Sequence, residues 1–267
     1  MLDGFRDTPV LDRINWFMAA LLVAFLAAPS LIVIPMSFSG SQYLQFPPHP
    51  LSLRWYAYFA DSITWTHAAR ASLIAGVLTT VVSVPVGAFA AYGAMRLGAR
   101  FRLLVSSLIV LPAVIPVILI AIGLFFVYAR LNLIGSMLGL VLGHTALTIP
   151  VVFVVMSAAF GQFDRDQERA ARSLGADWKQ AWLTVVLPQL RGPVAASALL
   201  AFVTSLDEVV IAMFISSGES TTIPKVMFTS LRDEVEPTIA VVSTLLLFAA
   251  SLVVAVVLRK GSAVFKV

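Results

Sequence analysis

Two carboxylates, Asp207 and Glu208, sit side by side in the otherwise apolar run FVTSLDEVVIAMF. A charge at the centre of a bilayer costs about 2.5–3.5 kcal/mol even on permissive insertion scales. Adjacent acids in such a run therefore need a reason. One is chemistry: a carboxylate lining a path attracts a cation, and Thr204 and Ser205 supply hydroxyls to the same cavity. The other is structural: a carboxylate caps a helix break or pairs with an arginine, Arg70 or one from another chain, while the hydroxyls bond back to the preceding turn. A second concentration of polar groups is DQERAARSLGADWKQAWLTVVLPQLRGP, from Asp166 to Pro193, a charged and helix-forming stretch in apolar surroundings. His144, in GHTALTIP, has the chemistry of a proton relay, although a lone histidine beside Thr145 is more often an interhelical hydrogen-bond partner. His49, His67 and His144 are dispersed and form no metal-binding pattern. The chain has no cysteine, which removes disulfides and thiolate metal sites. No G-x-x-x-x-G-K-[ST] loop, H-E-x-x-H or G-x-S-x-G occurs, so no constellation for ATP hydrolysis or metalloprotease or serine-hydrolase chemistry is visible.

The elements that hold these residues are membrane spans. Of 267 residues 60% are hydrophobic and 12% charged, with a mean hydropathy of +0.95. A soluble domain carries about 25% charged residues. Uncharged apolar runs predict six spans, near 16–37, 71–95, 103–128, 136–159, 194–216 and 237–258. The first is too long for a cleavable signal h-region of about 7–15 residues, and charges of both signs precede it. Six spans place both termini on one side. Of the 18 Lys and Arg, all but Arg54, Arg70, Arg130, Lys225 and Arg232 fall in segments on that side. The positive-inside rule then makes the termini and the 166–193 stretch cytoplasmic. Pro29, Pro35, Pro85, Pro112, Pro116 and Pro150 lie in the spans and are expected to kink them.

The cytoplasmic stretch reads as two short helices. Asp164 is a candidate N-cap with Gln167 three residues on, and the first helix stops at Gly175, where a left-handed C′ residue is favoured. Asp177 with Gln180 starts a second helix that is expected to end at Pro188. Trp178, Trp182 and Val185 lie near one face of it. One reading places this hairpin flat on the bilayer with its tryptophans among the headgroups. The other makes it a docking element, in which the small pair Ala170-Ala171 and the glycine bend admit a close partner surface.

The pattern RAARSLG followed by VVLPQL closely resembles the cytoplasmic loop of ABC importer permeases. Ala170, Ala171 and Gly175 match its Glu-Ala-Ala-x-x-x-Gly in register, and Leu187-Pro188 falls on its terminal Leu-Pro. The first triplet position is Arg169, and the acid stands one residue earlier at Glu168. Residues adjacent on a helix point about 100° apart, so Glu168 does not replace that carboxylate. LSLRWYAYFAD, LIVLPAVIPVIL, LDEVVIAMFIS and STTIPKVMFTSLRDEVEPTIAVVSTL resemble permeases of the spermidine/putrescine branch, over roughly residues 50–260.

The resemblance implies an all-α integral membrane protein of the type I ABC importer fold, with six transmembrane helices and a coupling-helix loop, about residues 161–192, between helices 4 and 5. Residues 1–65 would hold the N-terminal segment, first helix and outer loop, and residues 66–260 the permease domain. Glu168, Arg169, Ala170, Ala171, Leu174, Gly175, Leu187 and Pro188 would dock an ATPase. Asp207, Glu208, Thr204 and Ser205 would line the substrate path. The implied partners are an ABC ATPase dimer, a second permease subunit, a periplasmic substrate-binding protein and the inner membrane, with no nucleic acid. ATP and Mg would bind only to the partner subunits, and this chain would not be an enzyme. The expected cargo is a small cationic solute such as putrescine or spermidine; an opine, an amino-acid derivative or a phosphonate is the alternative. Glu219, Asp233, Glu234 and Glu236, set against Lys225 and Arg232, give the outer face an acidic excess that suits cation approach or protein docking. A self-sufficient secondary transporter is the competing class, but no internal repeat of the kind such folds often show is evident.

Overall fold

The computed structural model describes residues 9–233 and 236–261, and its regular elements are helices, apart from an isolated bridge between Ser39 and Leu51. Arg6, Glu234 and Lys266, which entered the charge argument, lie outside the described residues. In chain order the helices are α1 (Pro9–Met36), α2 (Arg54–Asp61), α3 (Ile63–Ala94), α4 (Ala99–Val114), α5 (Val117–Leu131), α6 (Met137–Gln162), α7 (Arg165–Ser173), α8 (Trp178–Ala181), α9 (Leu187–Asp207), α10 (Val210–Ile215), α11 (Ile223–Asp233) and α12 (Thr238–Gly261).

The chain divides into two compact units, one made of residues up to Asp61 with Ser230–Ser251, the other of Ser62–Thr229 with the C-terminal remainder. In the first unit α1 is apolar all round, and none of its 18-residue apolar window is buried. After it, Ser52 and Gly40 pair their backbone amides with Phe38 and Pro50 carbonyls (2.7 and 2.6 Å), and the Trp55 indole donates to Ser41 (2.9 Å). These bonds tie the loop between α1 and α2 into a compact turn.

The second unit is built on α3, α6 and α9. Its inner face of α3 reads Ala68, Ala71, Ser72, Ala75, Gly76, Thr79, Ser83, Gly87, Ala88, Ala91, Ala94, all buried at helical spacing. Between helices surrounded by lipid the hydrophobic effect contributes little, so close backbone approach through small residues supplies the attraction. Gly87 shows how close: a Cβ there would lie 2.7 Å from a Val152 methyl on α6. At Gly76 a Cβ would meet the Phe202 ring of α9 at 2.9 Å. The larger core side chains, Val152, Phe153, Met156 and Phe160 of α6 with Val186 and Leu190, fill the end where α3 finishes.

Among the described residues four helices are long and apolar enough to cross a membrane, residues 12–36 of α1, α3, α6 and the continuous stretch Trp178–Asp207, or five if the bent pair α4 and α5 is one span. Three expectations are corrected. The predicted span 103–128 is broken, because α4 and α5 meet at 95° about Ile115 and Pro116. Ile115 is extended (ψ 133°), as a residue before proline prefers to be, and Pro116 offers no N–H to continue the ladder. The second cytoplasmic helix does not stop at Pro188. Residues 182–186 widen into a π-turn in which the Leu187 N–H reaches back to the Trp182 carbonyl, and the helix runs on to Asp207. A local i→i+5 turn moves the preceding carbonyls away from the proline ring, which removes the clash that ends an ordinary helix there. The predicted span 194–216 ends early, at Asp207. The sixth predicted span, 237–258, coincides with α12 (Thr238–Gly261).

Candidate functional site

The hairpin at 164–188, expected to be cytoplasmic, forms largely as its residues dictate. Asp164 caps α7 by accepting the Asp166 amide (3.0 Å). Gln167 does not close the predicted capping box; its side-chain carbonyl accepts from Gln189 instead, linking α7 to α9. Gly175 adopts φ +96°, and its amide and that of Ala176 bond back to Arg172 and Ala171 (both 3.1 Å), terminating α7. Asp177 and Gln180 make the reciprocal capping box, with Gln180 N donating to Asp177 at 2.7 Å. The bend leaves Leu174 at its apex with 89% of its surface exposed. A leucine so exposed is not packed into a core by any described residue. Arg169, Ala170 and Gly175 are also exposed, Ala171 and Leu187 half-buried, and Pro188 exposed.

Glu168 faces the other way. It is buried, and its Oε1 accepts from the Tyr92 hydroxyl (2.6 Å) and from Arg96 Nη2 (2.8 Å), both at the end of α3. Arg96 also donates to the Tyr92 oxygen and stacks its guanidinium 4.2 Å from that ring. Arg165 donates to the Met95 carbonyl at 2.9 Å. Arg169 lies on the surface and pairs only with Asp166 (2.8 Å), three residues back. The tryptophans of the hairpin pack against the aromatic face of α3. Trp182 packs on Phe89 and Tyr92 at centroid distances of 4.9 and 5.7 Å, and Trp178 on Phe89 at 6.3 Å. Tyr92, Arg96 and this aromatic cluster were missed in the sequence. Phe89, Tyr92 and Arg96 share one helical face, a spacing that was available as a signal.

The acidic pair marks a break inside the apolar run. Glu208 is extended (φ −75°, ψ 111°) between α9 and α10, and it is buried. Its two oxygens accept the amides of Val210 (3.1 Å) and Ile211 (2.9 Å). The carboxylate thus supplies the acceptors that the first amides of α10 lack. Of the two readings open for Glu208, the geometry favours the cap. Asp207 ends α9 and is exposed, and its side chain makes no hydrogen bond or ion pair with any described residue. Its charge adds to the negative end of the α9 dipole, so the two together favour a cation.

Ser205 is buried and shares a 2.7 Å hydrogen bond with His144 Nδ1 across α9 and α6, an interhelical contact, while His144 Nε2 is buried with no hydrogen-bond partner among the described residues. Thr204 is half-buried beside them. Arg70 forms no ion pair with Asp207 or Glu208. It lines, with His67, Glu219 and Ser136, a cavity of about 470 Å³ at the end of α3 remote from the hairpin. Lys225 is committed as well: its ammonium bonds the carbonyls of Met213 (3.4 Å) and Ser216 at the end of α10, and burial lowers its pKa. Arg232 pairs with Asp233 (2.8 Å), so those two charges offset locally, while Glu236 accepts from the neutral Thr238 hydroxyl (2.7 Å) and keeps its charge.

A hairpin with an unsatisfied leucine apex, joined by a continuous helix to a broken, acidic membrane segment, is the arrangement to compare with known proteins. The family described as binding-protein-dependent transport system inner membrane component matches residues 83–260. The putrescine transport system permease protein PotI of Escherichia coli K12 is 32% identical over 264 residues, covering 93% of this chain and 91% of that protein. The spermidine/putrescine transport system permease protein PotC of the same organism is 26% identical over 231 residues, 86% of this chain and 87% of its own. Among solved structures, a chain of a bacterial ABC transporter involved in importing the acidic polysaccharide alginate superposes with a TM-score of 0.69 at 16% identity, over 98% of this chain and all of that one. That likeness bears on the fold, and the family match and PotI bear on kinship. The chain belongs to the family of binding-protein-dependent transport system inner membrane components.

Proposed function

We propose that this chain is one half of the membrane pathway of an ABC importer for a polyamine such as putrescine or spermidine, driven by ATP hydrolysis in partner subunits. What supports the docking half of this reading most directly is Leu174, 89% exposed at the apex of a hairpin held by Gly175 at φ +96°. An apolar anchor raised on a rigid bend fits a groove on another protein. The ATPase dimer would receive Arg169, Ala170, Ala171, Leu174 and Gly175, while Glu168, Leu187 and Pro188 set the hairpin's orientation from behind. ATP and Mg would be held there and not by this chain. A second permease subunit would complete the pathway, and a periplasmic binding protein would deliver the cargo at the far face. Both termini would be cytoplasmic. The working domain would be residues 66–260, with residues 1–65 as an added first helix and outer loop.

The cargo rests on kinship to PotI and PotC and on Asp207. A protonated amine would meet the Asp207 carboxylate at the end of α9 with Thr204 nearby, and would be screened little there. Glu208 would act on the path through the shape of the break. Transport would proceed by alternating access: ATP binding closes the ATPases, the hairpin moves with them, and α9 follows because no loop separates it from Trp178. Co-purification tests the docking reading: wild-type chain brings down its ATPase from detergent, and Leu174→Asp is expected to lose it while still inserting in the membrane. Retention of the ATPase by Leu174→Asp would contradict the assignment of the apex.

A further inference from the structure

The buried acid of the hairpin is bonded to the permease's own third helix. We infer that Glu168 is a positioning residue that latches the docking hairpin to α3 through Tyr92 and Arg96, so that hairpin displacement is delivered to α3 as well as to α9. The inference rests on the permease reading above.

Three observations converge. The Glu168 side chain is only 7% exposed, and one of its oxygens takes both the Tyr92 hydroxyl at 2.6 Å and Arg96 Nη2 at 2.8 Å. The carboxylate is buried, while the Arg96 side chain that meets it is 46% exposed. A charge-assisted hydrogen bond to a buried carboxylate is shorter and stronger than a neutral one, and removing either donor leaves that carboxylate with one partner fewer. Second, the bond is one of three ties between the same elements: Arg165 holds the Met95 carbonyl at 2.9 Å, and Trp182 packs on Phe89 and Tyr92. Third, α3 is one continuous helix across Pro85 and packs on α6 and α9 through close small-residue contacts, so a displacement at the latch would be carried along it. The family pattern puts an acid at the position of Arg169. Here the acid is one residue earlier, which turns it about 100° around α7 from outward to inward.

The test uses the complete complex. The chain has no cysteine, so Gly93→Cys places a single thiol in it, at an exposed position of α3 where a Cβ meets nothing within 4 Å. Its labelling by a water-soluble maleimide is measured with and without ATP and vanadate. A coupling of the usual size predicts a change of about fivefold or more on trapping, shrinking to less than about twofold in Glu168→Gln and in Arg96→Gln. The double variant is expected to be no worse than either alone, because each removes the same latch. Asp166→Asn, which breaks only the surface pair with Arg169, is the unaffected control. ATPase subunits stay bound throughout. A full response in Glu168→Gln, additive losses in the double variant, or no response in wild type overturns the latch. ATPase lost from Glu168→Gln but kept by Arg96→Gln overturns it in favour of direct docking by the carboxylate. If wild type itself binds no ATPase, the permease reading falls and the latch with it, an outcome visible before any labelling is compared.

Discussion

Asp207 and Glu208 are neighbours with different work. Glu208 has both oxygens on backbone amides, and Asp207 has no described partner. The sequence located the pair and supplied both readings. It could not divide them between the residues, because which carboxylate caps a helix depends on where the helix breaks. Glu208→Ala leaves two amides without an acceptor. Loss of a cap costs about 1 kcal/mol, and thermal unfolding in detergent should register it, with Glu208→Gln recovering part of the loss. Asp207→Asn should leave thermal stability unchanged and raise the KM for putrescine about tenfold, the equivalent of about 1.4 kcal/mol of lost attraction. Equal stability loss in both variants would contradict the division. Glu168 carries a similar lesson. Its displacement by one position was legible, and its partners were not, since Tyr92 and Arg96 lie more than 70 residues away in the chain.

At the level of elements, apolar runs, caps and glycine bends were the most legible features because each is decided by a few neighbouring residues. The Asp177–Gln180 capping box and the Gly175 bend occur as the residues specify. The prolines were not legible in their effects. Pro116 breaks a span at 95°, while Pro188 and Pro85 lie within helices that continue. The difference is local relief: the π-turn at 182–186 accommodates Pro188, whereas Ile115 and Pro116 have none. Close packing of α3 on α6 gives an element-scale prediction. A Cβ at Gly87 would lie 2.7 Å from Val152, so Gly87→Leu forces the helices apart. Overpacking of this kind costs about 1–3 kcal/mol, and expression of folded protein should fall. Combining it with Val152→Ala should restore much of the loss, and no recovery would show that the contact is not the cause.

For the molecule as a whole, one fold serves cargoes of opposite charge. The alginate transporter chain shares the architecture at 16% identity, and its cargo is acidic. On the proposed reading the fold would supply a movable pathway, and local groups such as Asp207 would adapt it to the cargo. The family was readable because its loop pattern is short and local. The cargo was less so, because on the proposed reading the residues that select it would be divided among several chains. The most direct measurement of the account is ATP-driven uptake of labelled putrescine into vesicles holding the complete reconstituted complex, with and without Asp207→Asn. Uptake that requires internal ATP and the ATPase subunits, is competed by spermidine, and falls about tenfold at low substrate in the variant is the predicted result. Uptake by this chain alone on an ion gradient, or ATP-driven uptake indifferent to the loss of Asp207, would contradict it.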